Sequence, residues 1–195
     1  KGEQLGYEIT YWNATSFELQ ETFGFNEIKI PKSNTHPFTD LYKRAKIRAE
    51  LNYFEKRFKD PTFQSYKFKQ NYKGIKNAIK SNFVDILVHR YSNQKGIKKL
   101  QQKIDTLERK SVAYEKARAV LEKEQPSIVF CTNQRASEAI APVLAAKDLN
   151  IATAAFIFSW DNLPKATKII DTDFYFVWSD FMKQELLTYY PSIDE

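Results

Sequence analysis

The 195-residue sequence has one cysteine, five glycines, two histidines and no long apolar run. A single cysteine, Cys131, excludes an intramolecular disulfide. No signal peptide and no apolar stretch of membrane-spanning length is found. Five glycines are few for a dinucleotide site, and neither a GxGxxG motif nor a phosphate-binding loop occurs. A His/Cys/Asp set with metal-ligand spacing is absent too. The sequence therefore predicts neither a cofactor nor a metal site.

Cys131 itself ends an apolar run, Ile128–Cys131. We interpret it as a small buried hydrophobe in a strand. A catalytic cysteine would need a base, and neither His36 nor His89 is close in sequence.

The rest of the composition is that of a globular protein. Hydrophobic residues make up 43% and aromatic residues 15% of the chain, and a chain of this size can bury a core without disulfides. Lys1–Gly6 has the pattern of a helix end with a glycine cap, directly followed by a strand. The last residues, Tyr190–Glu195, end the sequence without a further predicted element. We therefore expect one domain over 1–195, truncated at both ends.

Charge is distributed unevenly. Between Lys43 and Lys110 there are 19 Lys/Arg and six Asp/Glu, a net charge of +13, whereas the remainder carries −7. The densest basic and aromatic part is Phe63–Lys73. Three interpretations stay open: a solvated helical surface whose rings face the core, an anionic membrane surface, or RNA bound by stacking and phosphate pairing. The absence of a known RNA-binding signature makes nucleic acid the least favoured partner.

The first two thirds of the chain are predicted to be mostly helical after two strands. Alternating β-formers predict strands at Tyr7–Trp12 and at Phe25–Ile30, where Pro31 ends the second strand. A short helix is predicted within Ser16–Leu19. Further helices are predicted by apolar spacing, at 37–58, in part of 62–92, and as one long amphipathic helix at Lys95–Lys123 that Ser111 and Arg118 interrupt.

The last third predicts an α/β fold with a parallel sheet. The predicted strands are Ile128–Cys131, buried on both faces, then Ile151–Phe158 and Phe174–Trp178. A helix is predicted at Ala136–Asp148. Another runs to about Tyr189, with Ser179 or Asp180 as its N-cap.

Distinctive polar residues follow the predicted strands. The runs are Thr132–Arg135, Ser159–Asn162 and Ser179–Asp180, with Trp12–Asn13 as a further candidate. In open parallel sheets, ligands bind outside the carboxyl ends of the strands. Amide and carboxylate side chains suit the hydroxyls of a sugar. Caps and turns are the alternatives for several of these residues. Arg135 is less easily explained as a cap, because a cation at a helix start opposes the helix dipole and favours an anionic ligand.

Three segments resemble the N-terminal domain of GT-B glycosyltransferases, most closely those of bacterial surface and capsular polysaccharide biosynthesis. The segments are Phe130–Arg135, Phe156–Leu163 and Phe176–Ser179. The SWDNL run, followed by Asp173 and Val177–Ser179, is the specific part. The resemblance covers 124–190, covers 5–35 only as generic strands, and leaves 36–123 unmatched.

The resemblance implies an acceptor-side, Rossmann-like domain with helices on both faces of a parallel sheet and a basic helical insertion at 36–123. A C-terminal domain, in this or a partner chain, would bind the nucleotide-sugar donor, so that the chain alone would be inactive. The acceptor would be a saccharide or a lipid-linked saccharide. The protein would be cytoplasmic, peripheral on the inner face of the membrane.

Site residues follow from these expectations. Asp161 is the candidate general base or acceptor-orienting carboxylate. The candidate acceptor contacts are Asn133, Gln134, Arg135, Ser159, Trp160, Asn162 and Ser179. Two other functions stay open: a non-catalytic Rossmann-like binding or regulatory module, and a nucleic-acid-binding protein that uses the basic segment.

Overall fold

The computed structural model describes residues 3–13, 16–29 and 35–193, and the chain divides into two compact units, 1–34 and 35–195. The first unit is a small parallel β-α-β element. Its secondary structure comprises a 3-10 turn at Glu3–Leu5, strand β1 (Tyr11–Asn13), helix α1 (Leu19–Phe23) and strand β2 (Glu27–Lys29). The two strands pair in parallel, with Trp12 opposite Ile28.

Both predicted strands of this unit are present, but β1 begins four residues later than predicted and ends one residue later, and β2 is shorter. The short helix lies three residues later than predicted, and Gly24 ends it in the left-handed conformation at φ +71°. The parts of the predictions that involve Lys1–Gly2, Ile30–Pro31 and Asp194–Glu195 lie outside the described residues.

Four helices make up the first part of the second unit: α2 (Thr39–Phe58), α3 (Ile75–Tyr91), α4 (Gln94–Glu108) and α5 (Val112–Glu124). A 3-10 helix at Pro61–Tyr66 separates the first two. The helix predicted at 37–58 and the partial helicity of 62–92 are confirmed.

The single helix predicted over Lys95–Lys123 is wrong, because the chain breaks between α4 and α5. Ser111 adopts an extended conformation there, and its Oγ accepts a hydrogen bond from the Tyr114 backbone N–H at 3.1 Å. Serine competes for backbone groups inside a helix but satisfies orphan N–H groups at a helix start. The interruption at Ser111 in the sequence is thus a new helix N-terminus.

The sheet of the second unit confirms the predicted parallel arrangement. Its strands are β3 (Ile128–Cys131), β4 (Ala152–Phe156) and β5 (Phe174–Phe176), paired in the order β3-β4-β5. A 3-10 turn at Ser137–Ala139 leads into helix α6 (Ile140–Asp148) between β3 and β4, another 3-10 turn at Trp160–Asn162 follows β4, and helix α7 (Asp180–Tyr189) follows β5.

One face of this sheet is exposed, so the predicted burial of β3 on both faces is wrong. Phe130 pairs with Ala154, which pairs with Phe174, so the three side chains share a face. Phe130 is 50% exposed and Phe174 57%. A continuous apolar run indicates a strand but does not identify what covers it. The chain is a mixed α/β protein with small parallel sheets and many helices.

Helix α2 joins the two hydrophobic cores of this unit. Leu51 and Phe54 pack with Ile157 and with the α7 residues Met182 and Leu186. Leu41, Ala45 and Ala49 on the same helix pack instead with residues of α3 and α4. Because α2 is buried on two sides, the helices it organises and the sheet are held in one unit.

We expect Ser111→Ala to lower the free energy of unfolding by about 1 kcal/mol, because α5 loses its N-cap. For a protein of this size the melting temperature should fall by roughly 2–4 °C. Urea unfolding followed by circular dichroism measures the change. Ser127→Ala, at an exposed residue outside the helices, is the control. Ser111→Asp, which can also cap, should restore most of the loss; unchanged stability of Ser111→Ala would contradict the capping role.

Candidate functional site

Two polar loops meet at the carboxyl edge of the β3-β4-β5 sheet. One follows β3 and the other follows β4, and parallel pairing places both at the same edge. Arg135 Nη1 donates a hydrogen bond to Asn162 Oδ1 at 3.3 Å. The loop after β5 lies at this edge as well, and Trp178 Nε1 donates to the backbone oxygen of Phe158 at 2.9 Å. The structure thus brings together the loops that the sequence pattern singled out.

The loop after β3 is shaped by an Asn133 turn. Its side-chain Oδ1 accepts from the Arg135 backbone N–H at 3.1 Å, and its carbonyl accepts from the Ala136 N–H at 3.1 Å. Asparagine favours such turns because its side chain mimics a backbone acceptor. Asn133 therefore has a structural role in presenting the exposed guanidinium of Arg135.

Two buried amides lie at this edge. Gln134 and Asn162 are both fully buried. Within the described residues, neither Oε1 nor Nε2 of Gln134 has a hydrogen-bond partner, and Nδ2 of Asn162 has none. An unsatisfied buried polar group costs about 1–3 kcal/mol and is rare in native proteins. Gln134 thus lacks both a donor and an acceptor partner, whereas Asn162 lacks only an acceptor for its Nδ2.

Asp161 is held within its own loop. Its Oδ1 accepts from Ser159 Oγ at 2.6 Å, and its Oδ2 pairs with the ammonium of Lys165. Lys165 and then Ser159, with a smaller contribution from Arg135, lower the pKa of Asp161. The carboxylate is therefore ionised at neutral pH, and both of its oxygens are engaged.

The remaining predicted residues differ in their positions. Trp160 is 71% exposed and presents its indole to solvent. Ser179 is the N-cap of α7, accepting from the Met182 N–H at 3.3 Å, so Asp180 is the first helical residue and not the cap. Asn13 belongs to the other unit, where its Nδ2 donates to Glu27 Oε2 at 2.7 Å.

Two lysines at this edge, Lys165 and Lys43, were not predicted from the sequence as site residues. Lys165 follows Asp161 by four residues, a spacing typical of ion pairs on a helix, so a signal was present. Lys43 comes from α2, and its Nζ donates to Ser137 Oγ at 2.6 Å, just after the Arg135 loop. No local pattern links residues 94 positions apart. With Arg135, these side chains make the edge electropositive.

Three other features bear on function: the single thiol, possible metal ligands and possible membrane-spanning helices. Burial raises the pKa of the Cys131 thiol, which disfavours the reactive thiolate. Across 3–13, 16–29 and 35–193, no group of three or more His, Cys, Asp or Glu residues is placed to hold a metal ion. No helix in those ranges combines the length and apolar composition needed to cross a membrane.

Comparison with known proteins identifies no relative of this chain. No family model, no curated protein and no solved structure matches it. The functional interpretation therefore depends on the geometry of the sheet edge and on the sequence pattern.

We expect Lys165→Met to raise the pKa of Asp161 towards the ordinary value of about 3.9, because the ammonium is the largest cause of the lowering. A lowered carboxyl pKa contributes stability that is present above the ordinary pKa and is lost as the pH falls through the lowered one. The wild-type loop should therefore be more stable than the variant above about pH 4, and this advantage should shrink as the pH falls through the lowered pKa of Asp161.

A carbon-detected NMR titration of the Asp161 carboxyl measures both values. Lys123→Met removes an ammonium on α5 that pairs with Glu124 and should leave the titration of Asp161 unchanged. An Asp161 that titrates at the ordinary pH in the wild type, or that ignores Lys165→Met, would contradict the ion pair.

Proposed function

We propose that this chain is the acceptor-binding half of a GT-B-type glycosyltransferase. The enzyme would move a sugar from a nucleotide-sugar donor to a saccharide or lipid-linked saccharide acceptor in bacterial polysaccharide synthesis. The observation that supports it most is the meeting of Gln134, Arg135 and Asn162 at the carboxyl edge of a parallel sheet. Open α/β sheets bind ligands at this edge. The segments that resemble such enzymes are the same loops.

The chemistry of the edge suits a phosphorylated sugar chain. The Gln134 amide offers a donor and an acceptor, and Nδ2 of Asn162 a donor, to sugar hydroxyls, and acceptor binding must open the edge that buries both side chains. Trp160 offers an exposed flat ring for an apolar sugar face. Arg135 matches phosphate oxygens with two parallel N–H groups, and Lys165 and Lys43 add positive charge beside it. A lipid diphosphate-linked saccharide has all of these features.

Asp161 has a defined place in the proposed reaction. The acceptor hydroxyl forms a bond to the anomeric carbon of the donor sugar, and the bond from that carbon to the nucleotide phosphate breaks. The nucleotide leaves with the bonding electrons, and the hydroxyl proton passes to the carboxylate of Asp161. Lys165 must first release that carboxylate, and an arriving acceptor phosphate is a suitable new partner for Lys165.

The donor site belongs, in this proposal, to a C-terminal Rossmann-like domain of the same or a partner chain. The described unit would be the Rossmann-like acceptor domain, with 36–123 as its helical insertion. We place the protein in the cytoplasm, on the inner face of the membrane.

A second function fits the same edge, namely a non-catalytic saccharide-binding module. The engagement of both Asp161 oxygens favours it, because a carboxylate paired with an ammonium is a poor proton acceptor. Both functions require acceptor binding, and only the first requires proton transfer by Asp161.

We expect Gln134→Leu to weaken acceptor binding about tenfold without destabilising the fold. Leucine removes two buried polar groups that lack partners, a change that is neutral or stabilising when the shape is kept. The ligand would lose hydrogen bonds worth about one tenfold step in affinity. Isothermal titration calorimetry with a short-chain prenyl-diphosphate saccharide measures binding, and thermal unfolding measures stability.

The matched control is Gln102→Leu at an exposed position on α4, which should change neither quantity. Arg135→Ala should weaken binding of the same ligand but not of its phosphate-free saccharide. A Gln134→Leu variant that loses stability and binds normally would show that the edge is only structural.

In the complete enzyme, with its donor domain, we expect Asp161→Asn to lower kcat by roughly 10²–10⁴-fold, the usual contribution of a general base. The KM for the acceptor should change little, because the amide keeps the size of the side chain. Nucleotide release assays give both constants. Turnover near normal in a folded Asp161→Asn variant would remove Asp161 as the base while leaving acceptor binding by this edge intact.

A further inference from the structure

Helix α3 exposes a row of apolar side chains. Ile75 is 82% exposed, Ile79 64% and Ile86 66%, and Phe83 beside them is 36% exposed. Positions 75, 79, 83 and 86 follow the spacing of one helix face. We call these four residues the isoleucine face. They extend over about 16 Å of the helix, at 1.5 Å per residue.

The opposite side of α3 fixes this face outward. Val84 and Val88 are buried against residues of α2 and α4. The ring of Phe83 meets the Tyr42 ring of α2 edge-on, with centroids 5.8 Å apart. Turning the isoleucines inward would expose the valines, so the helix is held with its isoleucine face towards the outside of the unit.

Positive charge borders the isoleucine face. Lys76 and Lys80 are exposed and lie along one side of it, and the exposed Arg90 lies one turn beyond Ile86. The one carboxylate on α3, Asp85, accepts a hydrogen bond from the Tyr72 hydroxyl and lies 3.6 Å from Arg48. The surface is thus apolar in the middle, cationic at its border, and its single acid is already paired.

The basic and aromatic run Phe63–Lys73 is a poorer candidate for such a surface. Phe63 is only 5% exposed and packs in the core with Phe54, and Tyr66 is partly buried against the same core. Phe68, at 76% exposure, is the most exposed ring of this run. The binding surface lies on α3, which follows the densest basic stretch.

We propose that the isoleucine face inserts into the headgroup region of an anionic bilayer, with Lys76, Lys80 and Arg90 on lipid phosphates. An interfacial helix lies flat and buries its apolar face some 5–10 Å deep, which matches exposed aliphatic side chains with a cationic border. RNA bound by stacking would need several rings, and Phe83 is the one ring among the four residues of this face. This inference is independent of the acceptor site.

We expect Ile79→Gln with Ile86→Gln to lower the partition coefficient at least tenfold, because the inserted apolar area is lost. Both side chains are exposed, so folding should not change. The partition coefficient is measured by sedimenting the whole chain with phosphatidylcholine vesicles that contain roughly a third phosphatidylglycerol. Val112→Gln, at a 57% exposed residue of α5, should bind like the wild type.

The charges are tested separately. Lys76→Gln with Lys80→Gln should weaken binding about fivefold for each charge at moderate salt. The matched pair Lys116→Gln with Lys123→Gln removes two exposed lysines of α5 and should weaken it far less. Added salt should reduce the difference between the two pairs.

Three results would overturn the proposal. One is equal binding to neutral and anionic vesicles. Another is vesicle binding that survives Ile79→Gln with Ile86→Gln. The third is binding to a short oligouridylate, or self-association lost in the isoleucine variant, without vesicle binding. Because none of these readouts uses the acceptor, loss of saccharide binding at Gln134 would leave this proposal standing.

Discussion

A buried charge network holds the sheet edge against the helices. Lys46 of α2 is 4% exposed, and its Nζ donates to Glu50 Oε2 at 3.2 Å and to the backbone oxygen of Lys168 at 2.6 Å. Lys168, itself 6% exposed, pairs with Asp171 and donates to the Tyr175 hydroxyl at 3.3 Å. Burial opposes the charge of Lys168, but Asp171 and Tyr175 outweigh it and raise its pKa. Asp171 is exposed, but Lys46 and Lys168 are not, and removing the carboxylate partner of a buried charge costs roughly 3–5 kcal/mol.

The network matters because the connection from β4 to β5 is buried and irregular. A buried loop must find partners for its backbone groups. Here Gln101 of α4 donates to the Ile169 oxygen at 3.1 Å, and Lys147 of α6 donates to the Asp171 oxygen at 3.1 Å. The N–H of Ile169 in turn donates to the backbone oxygen of Gln134 at 3.3 Å. Side chains of the helices thus fix the connection, and the connection fixes the loop that carries the candidate site.

Features that depend on neighbouring residues were predictable from the sequence. The run Ile128–Cys131 is a strand at the predicted bounds, and the loops of Arg135 and Asn162 meet because parallel strands end at one edge. The burial of Lys46 and Lys168 was not predictable from the sequence. Their acidic partners, Glu50 and Asp171, are close in sequence, but both lysines are buried because α2 packs on a connection more than a hundred residues away, where Lys46 donates to the Lys168 oxygen. The same limit explains the exposed sheet face and the missed contact of Lys43. Ser111 stands out in the sequence as a break in the apolar spacing, which indicates an interruption of one helix and equally fits the N-cap of a second helix.

The most direct test of the acceptor site is whether its buried amides meet the ligand. Side-chain amide resonances of Gln134 and Asn162 can be followed in nitrogen-proton NMR spectra while a soluble diphosphate-linked saccharide is added. Acceptor binding at this edge should produce saturable shifts of both amides with one dissociation constant, shared with the Arg135 guanidinium signal. Shifts confined to the exposed Trp160 indole, with both buried amides unchanged at saturation, would contradict it.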